Sequence, residues 1–256
     1  MFTRAIVRRP CAAMIHGITS APELGAPDYQ KALEQHDAYI RALQACGLEV
    51  TVLPADEAYP DSCFVEDTAV LTEHCAVLTR PGAPSRQRET ESMLPVLQRF
   101  YGEDKIHGIQ APGTLEGGDV MRVGDHFYVG LSDRSNAEGI AQLRAFLEPC
   151  GLTVEGVEMH QFLHLKTGAT YMERGNLLVA GEFQTHPAFA GFNRIPVPDE
   201  EAYGVNCIYI NDKVIVPEGY PAVLTALREA GYETLTVDTG EYKKIDGGLT
   251  CLSLRF

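Results

Sequence analysis

The sequence predicts an α/β protein built from a repeated unit, and two observations carry that prediction. Short strand-like segments alternate with amphipathic helices along the chain. Helix-to-strand junctions also recur, as RALQACGLEVTVLP, VLQRFYGEDKIHGI, AFLEPCGLTVEGVE, AFAGFNRIPVP and ALREAGYETLTV. Their turn glycines, Gly47, Gly102, Gly151, Gly191 and Gly231, are spaced by 55, 49, 40 and 40 residues. Periods of this size belong to propellers and other repeated-sheet folds. A closed, pseudo-symmetric α/β arrangement is expected. A doubly wound parallel sheet is the alternative, because its strands and helices leave a similar pattern. No linker rich in Pro, Gly or Ser interrupts residues 1–256, which read as one compact domain.

Each element has its own signal. Thr3–Arg8 reads as a strand. Asp28 is placed to cap a helix over Asp28–Cys46, with a Leu33–Asp37–Ile40 progression and Gly47 to stop it. Leu48–Leu53 is a strand, followed by the loop PADEAYPDS. Cys75–Thr79 is the next strand, then a loop and a helix over Arg86–Tyr101. Strands CAVLTR, HFYVG, NLLVAG and KVIVP precede the later helical parts, and the fourth unit barely has a helix.

Composition narrows the function classes. Apolar residues make up 45% of 256, enough for a large core and incompatible with disorder. Acidic residues outnumber basic ones 35 to 21, a net charge of −14. That balance excludes an extended phosphate-binding surface, so no nucleic-acid partner is expected. Apolar runs are short and interrupted, so no membrane span is expected, and MFTRAIVRRP lacks the apolar stretch of a signal peptide. Seven cysteines with no CxxC suit neither a disulfide scaffold nor a structural zinc site; a reducing cytoplasm fits them best.

Four segments place polar residues where a strand should end: DSCFVEDTAV (61–70), GTLEGGDVMRVGD (113–125), HLKTG (164–168) and KKIDGGLTCLSLRF (243–256). In a repeated fold all four can end at one central cavity. Cys251 follows Asp246-Gly247-Gly248, whose glycines permit a bend and close backbone approach, and is expected at the start of a strand. It reads either as a nucleophile or as a buried packing thiol. His164 can shuttle protons near neutral pH if a carboxylate pins one ring nitrogen; a hydrogen-bonded structural histidine is the other reading. His160 and His164 form only a weak H-x-x-x-H pair, so no metal is expected. Glu116 opens a glycine-rich bend that Asp119 closes, which is a tight turn if not a site. Asp61, Glu66 and Asp67 form the densest acidic group among apolar residues. Carboxylates there suit a guanidinium or amine, unless they are only a charged strand end.

With PDSCFVEDTAV, RPGAPSRQRE, GTLEGGDV, HFYVGLSDRSNAEG, HLKTG, NLLVAGEF and DTGEYKKIDGGLTCLSLRF in this order, the chain resembles the dimethylarginine dimethylaminohydrolases over essentially its full length. These belong to the guanidino-group-modifying superfamily. The resemblance implies a five-bladed α/β propeller of ββαβ-type units. It implies Cys251 as nucleophile, His164 as general acid and base, and Glu116 as the carboxylate completing the triad. Asp67 matches the residue that holds the guanidinium, with Asp61 and Glu66 in the same acidic wall. Arg86 and Arg134 match arginines that engage the substrate α-carboxylate. The family's mobile loop corresponds to residues 16–27, where Ile18 stands in place of a common leucine. EGGDV replaces a more common EAGD-like form, a change expected to matter little.

The implied reaction hydrolyses Nω,Nω-dimethyl-L-arginine or Nω-monomethyl-L-arginine to L-citrulline and an alkylamine through a cysteine thiouronium intermediate, with no metal or organic cofactor. A small guanidino amino acid is then the partner, and relatives are often homodimers. The rival readings are a hydrolase or deiminase acting on arginine, citrulline or another guanidino or ureido compound, and a non-catalytic binding protein of the same fold.

Overall fold

A computed structural model describes residues 1–256. It contains five three-stranded sheets with one shared strand order: a central strand, an antiparallel partner on one side and a parallel partner on the other. The central strands are Arg4–Arg8, Ala76–Leu78, His126–Leu131, Asn176–Val179 and Lys213–Pro217. Their antiparallel partners are Leu254–Arg255, Ala69–Leu71, Val120–Val123, Ala169–Tyr171 and Ile208–Ile210. The parallel partners are Glu49–Leu53, Ile106–Gly108, Thr153–Glu158, Asn193–Pro196 and Glu233–Val237. Five copies of one mixed sheet are the composition of a five-bladed pseudo-symmetric α/β propeller. They exclude the doubly wound alternative, which needs one continuous, mostly parallel sheet.

The chain divides into two compact units, Met1–Val65 with Val197–Phe256, and Glu66–Pro196. The first holds the sheets centred on Arg4–Arg8 and Lys213–Pro217. Its main helix spans Tyr29–Ala45, and the Asp28 side chain accepts the Lys31 N–H at 3.0 Å, as the sequence signals. Ala32, Gln35, His36, Tyr39, Ile40 and Leu43 form the buried face, with the spacing of an amphipathic helix. Gly47 turns the chain out of the helix at φ +87, a conformation that favours glycine. Two tyrosines tie this helix to the C-terminal segment. Tyr242 donates to the Ala32 carbonyl at 2.7 Å, and Tyr39 shares a 2.6 Å hydrogen bond with Ser253. Both rings lie in an apolar cluster with Val7, Leu43, Ile215 and Cys251. Fully burying an apolar side chain of this size is worth about 1.5–3 kcal/mol.

The second unit carries the other three sheets. Its main helix, Ala137–Leu147, is capped by Asn136, which accepts the Gly139 N–H at 2.8 Å. Ile140, Leu143 and Leu147 then pack with Phe127, Val129 and Val154. One expectation fails in this unit. Arg86–Tyr101 is not a single helix; a 3-10 stretch over Pro84–Ser92 is followed by one α-turn, Leu94–Leu97. The stretch PSRQRETES has no apolar stripe to bury, and its two inward residues, Arg86 and Glu89, pair with each other. The junction glycines also divide into two kinds. Gly47, Gly151 and Gly231 have positive φ, whereas Gly102 has φ −63 and precedes a 3-10 turn. Around Gly191 only a short 3-10 turn, Pro187–Phe189, precedes the strand, in keeping with the weak fourth unit.

Candidate active site

In the second unit the segment GTLEGGD builds a compact charged cluster. Glu116 is extended (φ −119, ψ 140), and Gly117–Asp119 form one 3-10 turn. Both glycines are required by clearance. A Cβ on Gly117 would lie 1.9 Å from the Glu66 carbonyl oxygen, and one on Gly118 would lie 2.5 Å from His164 Nδ1. Alanine is therefore no neutral replacement for either glycine, contrary to the expectation for EGGDV. Gly82 of the RPGAP segment is similarly confined, since a Cβ would come within 2.6 Å of the Arg134 backbone.

The glycine turn brings three of the expected side chains together. Glu116, with no exposed surface, meets His164 Nε2 through Oε2 at 2.7 Å. Its other oxygen accepts the Ala83 N–H at 3.3 Å and lies 3.6 Å from the Arg134 guanidinium. Asp67 accepts the Gly118 N–H at 2.8 Å and a 2.7 Å bond from Arg86. Ligand atoms of Asp67, Glu116 and His164 all lie within 4.8 Å of one another, so a cation could be considered there. The donors argue for a different occupant. Arg86 already supplies a guanidinium to Asp67, and His164 is itself held as a cation.

Charge explains that last point. Burial pushes the His164 imidazole down, but Asp119 and Asp67, together with the bond to Glu116, outweigh it and raise the group to about 9. For Glu116, burial acts to raise the carboxyl; the His164 bond and charge, with Arg86 and Arg134, prevail and hold it below the usual range. The pair therefore exists as imidazolium and carboxylate at neutral pH.

The remaining predicted residues of this unit are accounted for differently. Arg86 is buried between Glu89, which it meets through Nε and Nη2, and Asp67. Arg134 is more open, with a side chain 17% exposed. Glu66 accepts from Lys166 Nζ at 2.5 Å, so its negative charge is compensated and the expected acidic wall is partly neutralised.

The first unit holds Cys251, Asp61 and Ile18. Cys251 is not at a strand start as expected. It lies in the 3-10 turn Thr250–Leu252, and the strand follows at Leu254. The reason is Asn206, whose side chain accepts the Thr250 N–H at 2.8 Å and donates to Thr250 Oγ1 at 3.1 Å, capping the turn. Gly248 N–H points at Cys251 Sγ, 3.4 Å away. The preceding glycines again have no room for a side chain: a Cβ on Gly247 would meet the Phe64 ring at 2.3 Å, and one on Gly248 would meet Asn206 at 2.6 Å. The cysteine is 7% exposed, and none of the seven cysteines forms a disulfide. Asp61, also buried, accepts the Ile18 N–H at 3.1 Å, while Asp246 accepts from Ser20 through both its N–H (2.6 Å) and its hydroxyl (2.9 Å). Loop residues 18 and 20 are thus fastened by two carboxylates, one of them in the glycine segment before Cys251.

Asp119, Ser132, Ser135 and Lys166 were not singled out as site residues by sequence reasoning. The signals for them were the serines flanking Arg134 in LSDRSN, Asp119 closing the glycine-rich bend and Lys166 within HLKTG.

Repeated mixed sheets with a buried histidine–carboxylate pair place the chain among α/β-propeller proteins with an acid–base site. Residues 26–175 match the family model described as N,N dimethylarginine dimethylhydrolase, eukaryotic. The N(G),N(G)-dimethylarginine dimethylaminohydrolase of Pseudomonas aeruginosa is 54% identical over 256 residues, covering all of both chains. Its namesake from Streptomyces coelicolor is 38% identical over 98% of this chain and 96% of its own. The solved Pseudomonas structure of a cysteine-to-serine mutant complexed with citrulline superposes with a TM-score of 0.98 at 53% identity over the whole of both chains. The N-terminal domain of a cyanobacterial arginine dihydrolase shares the fold alone, at TM-score 0.85 and 20% identity. The chain belongs to the dimethylarginine dimethylaminohydrolase family.

Proposed function

We propose that the protein hydrolyses Nω,Nω-dimethyl-L-arginine, and the monomethyl form, to L-citrulline and dimethylamine or methylamine. The full-length identity of 54% to the Pseudomonas enzyme carries this reading. The buried imidazolium–carboxylate pair supports it chemically. Both units serve one catalytic domain under this proposal.

A guanidinium carbon is a poor electrophile because three nitrogens share its charge. Asp67 and Glu116 orient the planar group through charge-assisted hydrogen bonds. The Cys251 thiolate adds to the carbon. His164 gives its proton to the alkylated nitrogen, the C–N bond breaks, and the amine leaves behind an S-alkylthiouronium on the cysteine. Water then adds to the same carbon while His164 takes one of its protons; the C–S bond breaks, the remaining hydroxyl proton passes through solvent to the released amine, and citrulline leaves with the thiolate restored.

Arg134 contacts the substrate α-carboxylate in this reading. Arg86 can do so only by exchanging its bonds to Asp67 or Glu89. Ile18 belongs to the loop over residues 16–27 that closes over the amino-acid end, Asp61 stays in the acidic wall and holds that loop through the Ile18 N–H, and Glu66 acts with Lys166 as a neutral pair. Such a protein needs no partner besides its small substrate, assembles as a homodimer and works in a reducing cytoplasm.

The test offers dimethylarginine, monomethylarginine, arginine and citrulline in parallel, with citrulline, alkylamine and ammonia measured. Alkylamine and citrulline in equal amounts from the methylated substrates are expected. Ammonia from arginine exceeding them would make the protein a deiminase. No turnover of any substrate would favour a binding protein.

A further inference from the structure

Below the Glu116–His164 pair lies a carboxylate that no step of the reaction uses. Asp119 has no exposed surface. One oxygen, Oδ1, accepts the Leu165 N–H at 3.0 Å, in the peptide unit joined to His164. The other, Oδ2, accepts from two hydroxyls, Ser135 at 2.6 Å and Ser132 at 2.7 Å. Each serine passes the connection on. Ser135 Oγ accepts the Glu116 N–H at 3.0 Å, and Ser132 Oγ accepts the N–H groups of Arg134 at 3.0 Å and Ser135 at 3.2 Å. The backbone beside His164 is thus held by Asp119 directly, and the backbones of Glu116 and Arg134 through one hydroxyl each. Gly130 leaves the space this needs, since a Cβ there would come within 2.8 Å of Asp119 Oδ1.

We propose that Asp119 is a positioning residue for the reaction, one buried carboxylate that fixes the backbone of Glu116, His164 and Arg134 in a common frame and keeps an anion beside the imidazole. The inference rests on the reaction assigned above. Burying a carboxylate is costly and pushes the Asp119 carboxyl up, while the His164 charge, two hydroxyls and the Leu165 N–H favour its anion. A neutral residue of the same shape could accept some of these bonds, so hydrogen bonding alone does not require an acid. The charge has its own effect: the negative charge of Asp119, with Asp67 and Glu116, raises the imidazole.

Asp119→Asn and Ser135→Ala separate the two roles. The His164 ring is titrated by NMR, and kcat and KM are measured against pH for dimethylarginine. Asp119→Asn is expected to move the His164 midpoint down by about one pH unit or more, as loss of a neighbouring opposite charge does. The alkaline limb of kcat should move with it. Ser135→Ala keeps the charge and should lower kcat about tenfold or more without moving the midpoint, through looser placement of Glu116. An unmoved midpoint and alkaline limb in Asp119→Asn, with losses that follow thermal stability alone, would overturn the proposal. Where Asp119→Asn does not fold, Ser132→Ala with Ser135→Ala decides it: unchanged kcat in both, in folded protein, overturns it. Should the wild-type protein turn over no methylated arginine, the reaction fails as a reading while the NMR titration still judges the frame.

Discussion

Around His164 the chain is held by charge: an imidazolium against a buried carboxylate, a second carboxylate fastened to a guanidinium, and a third beneath them bonded to two hydroxyls and an N–H. Around Cys251 the contacts described are of another kind. The turn is set by an asparagine side chain, a sulfur-facing N–H and two glycines pressed against Phe64 and Asn206. Under the proposed reaction the contrast follows from what each part must deliver. A proton donor needs neighbours that choose its protonation state, whereas a nucleophile needs its position fixed and its direction of attack left open.

The contrast predicts how each region breaks. Cys251→Ser should have the largest effect, removing turnover by at least about 10³-fold while circular dichroism and the melting temperature change little, because serine nearly keeps the shape of the side chain. Retained turnover would remove the cysteine from the mechanism. His164→Asn comes next, with kcat down about 10²–10⁴-fold. In the wild type, kcat should fall as pH rises through about 9, where the imidazolium is lost. Stability has the same sign. A raised imidazole stabilises fully below its unfolded value of 6.5 and loses that contribution as pH rises through about 9. Denaturant titrations from pH 6 to 10 should show this loss in the wild type and its absence in His164→Asn.

The glycines give the smallest and sharpest test. Gly117→Ala drives a Cβ into a carbonyl and should cost about 1–3 kcal/mol of stability, read from thermal unfolding. Gly118→Ala meets the imidazole instead and should lower kcat with a smaller loss of stability. Equal melting temperatures for Gly117→Ala and wild type would mean the backbone yields where the contact distance says it cannot.

Much of this was legible in the sequence for reasons that are local. Asp28, a buried face at helical spacing and Gly47 specify the helix Tyr29–Ala45 with no outside help. The central strands are short apolar runs between turn residues and were found in place. The Glu116, His164 and Asp67 cluster was also legible, because each of these residues lies in a contiguous motif. What escaped depends on distant partners. Cys251 sits in a turn because Asn206 reaches it from elsewhere in the chain, and Arg86 leaves an α-helix for a 3-10 stretch paired with Glu89 and Asp67. Asp119 looks like an ordinary turn acid until its burial is seen. Alanine resembles glycine by size, yet the gap above Gly117 is set by the carbonyl of Glu66.

The division of the chain also has a kinetic side. His164, Glu116, Asp67 and Asp119 belong to one uninterrupted stretch, Glu66–Pro196, whereas the unit holding Cys251 draws on Met1–Val65 and Val197–Phe256. Its first sheet pairs Ala5 with Arg255 and Ile6 with Leu254, so a loop of nearly the whole sequence must close before that sheet is complete. Closure of so long a loop is entropically unfavourable until other contacts hold its ends together. On refolding, the histidine cluster is therefore expected to form from nearby segments and the cysteine turn to follow. Amide protection within Glu66–Pro196 would then run ahead of protection in the strands Arg4–Arg8 and Leu254–Arg255.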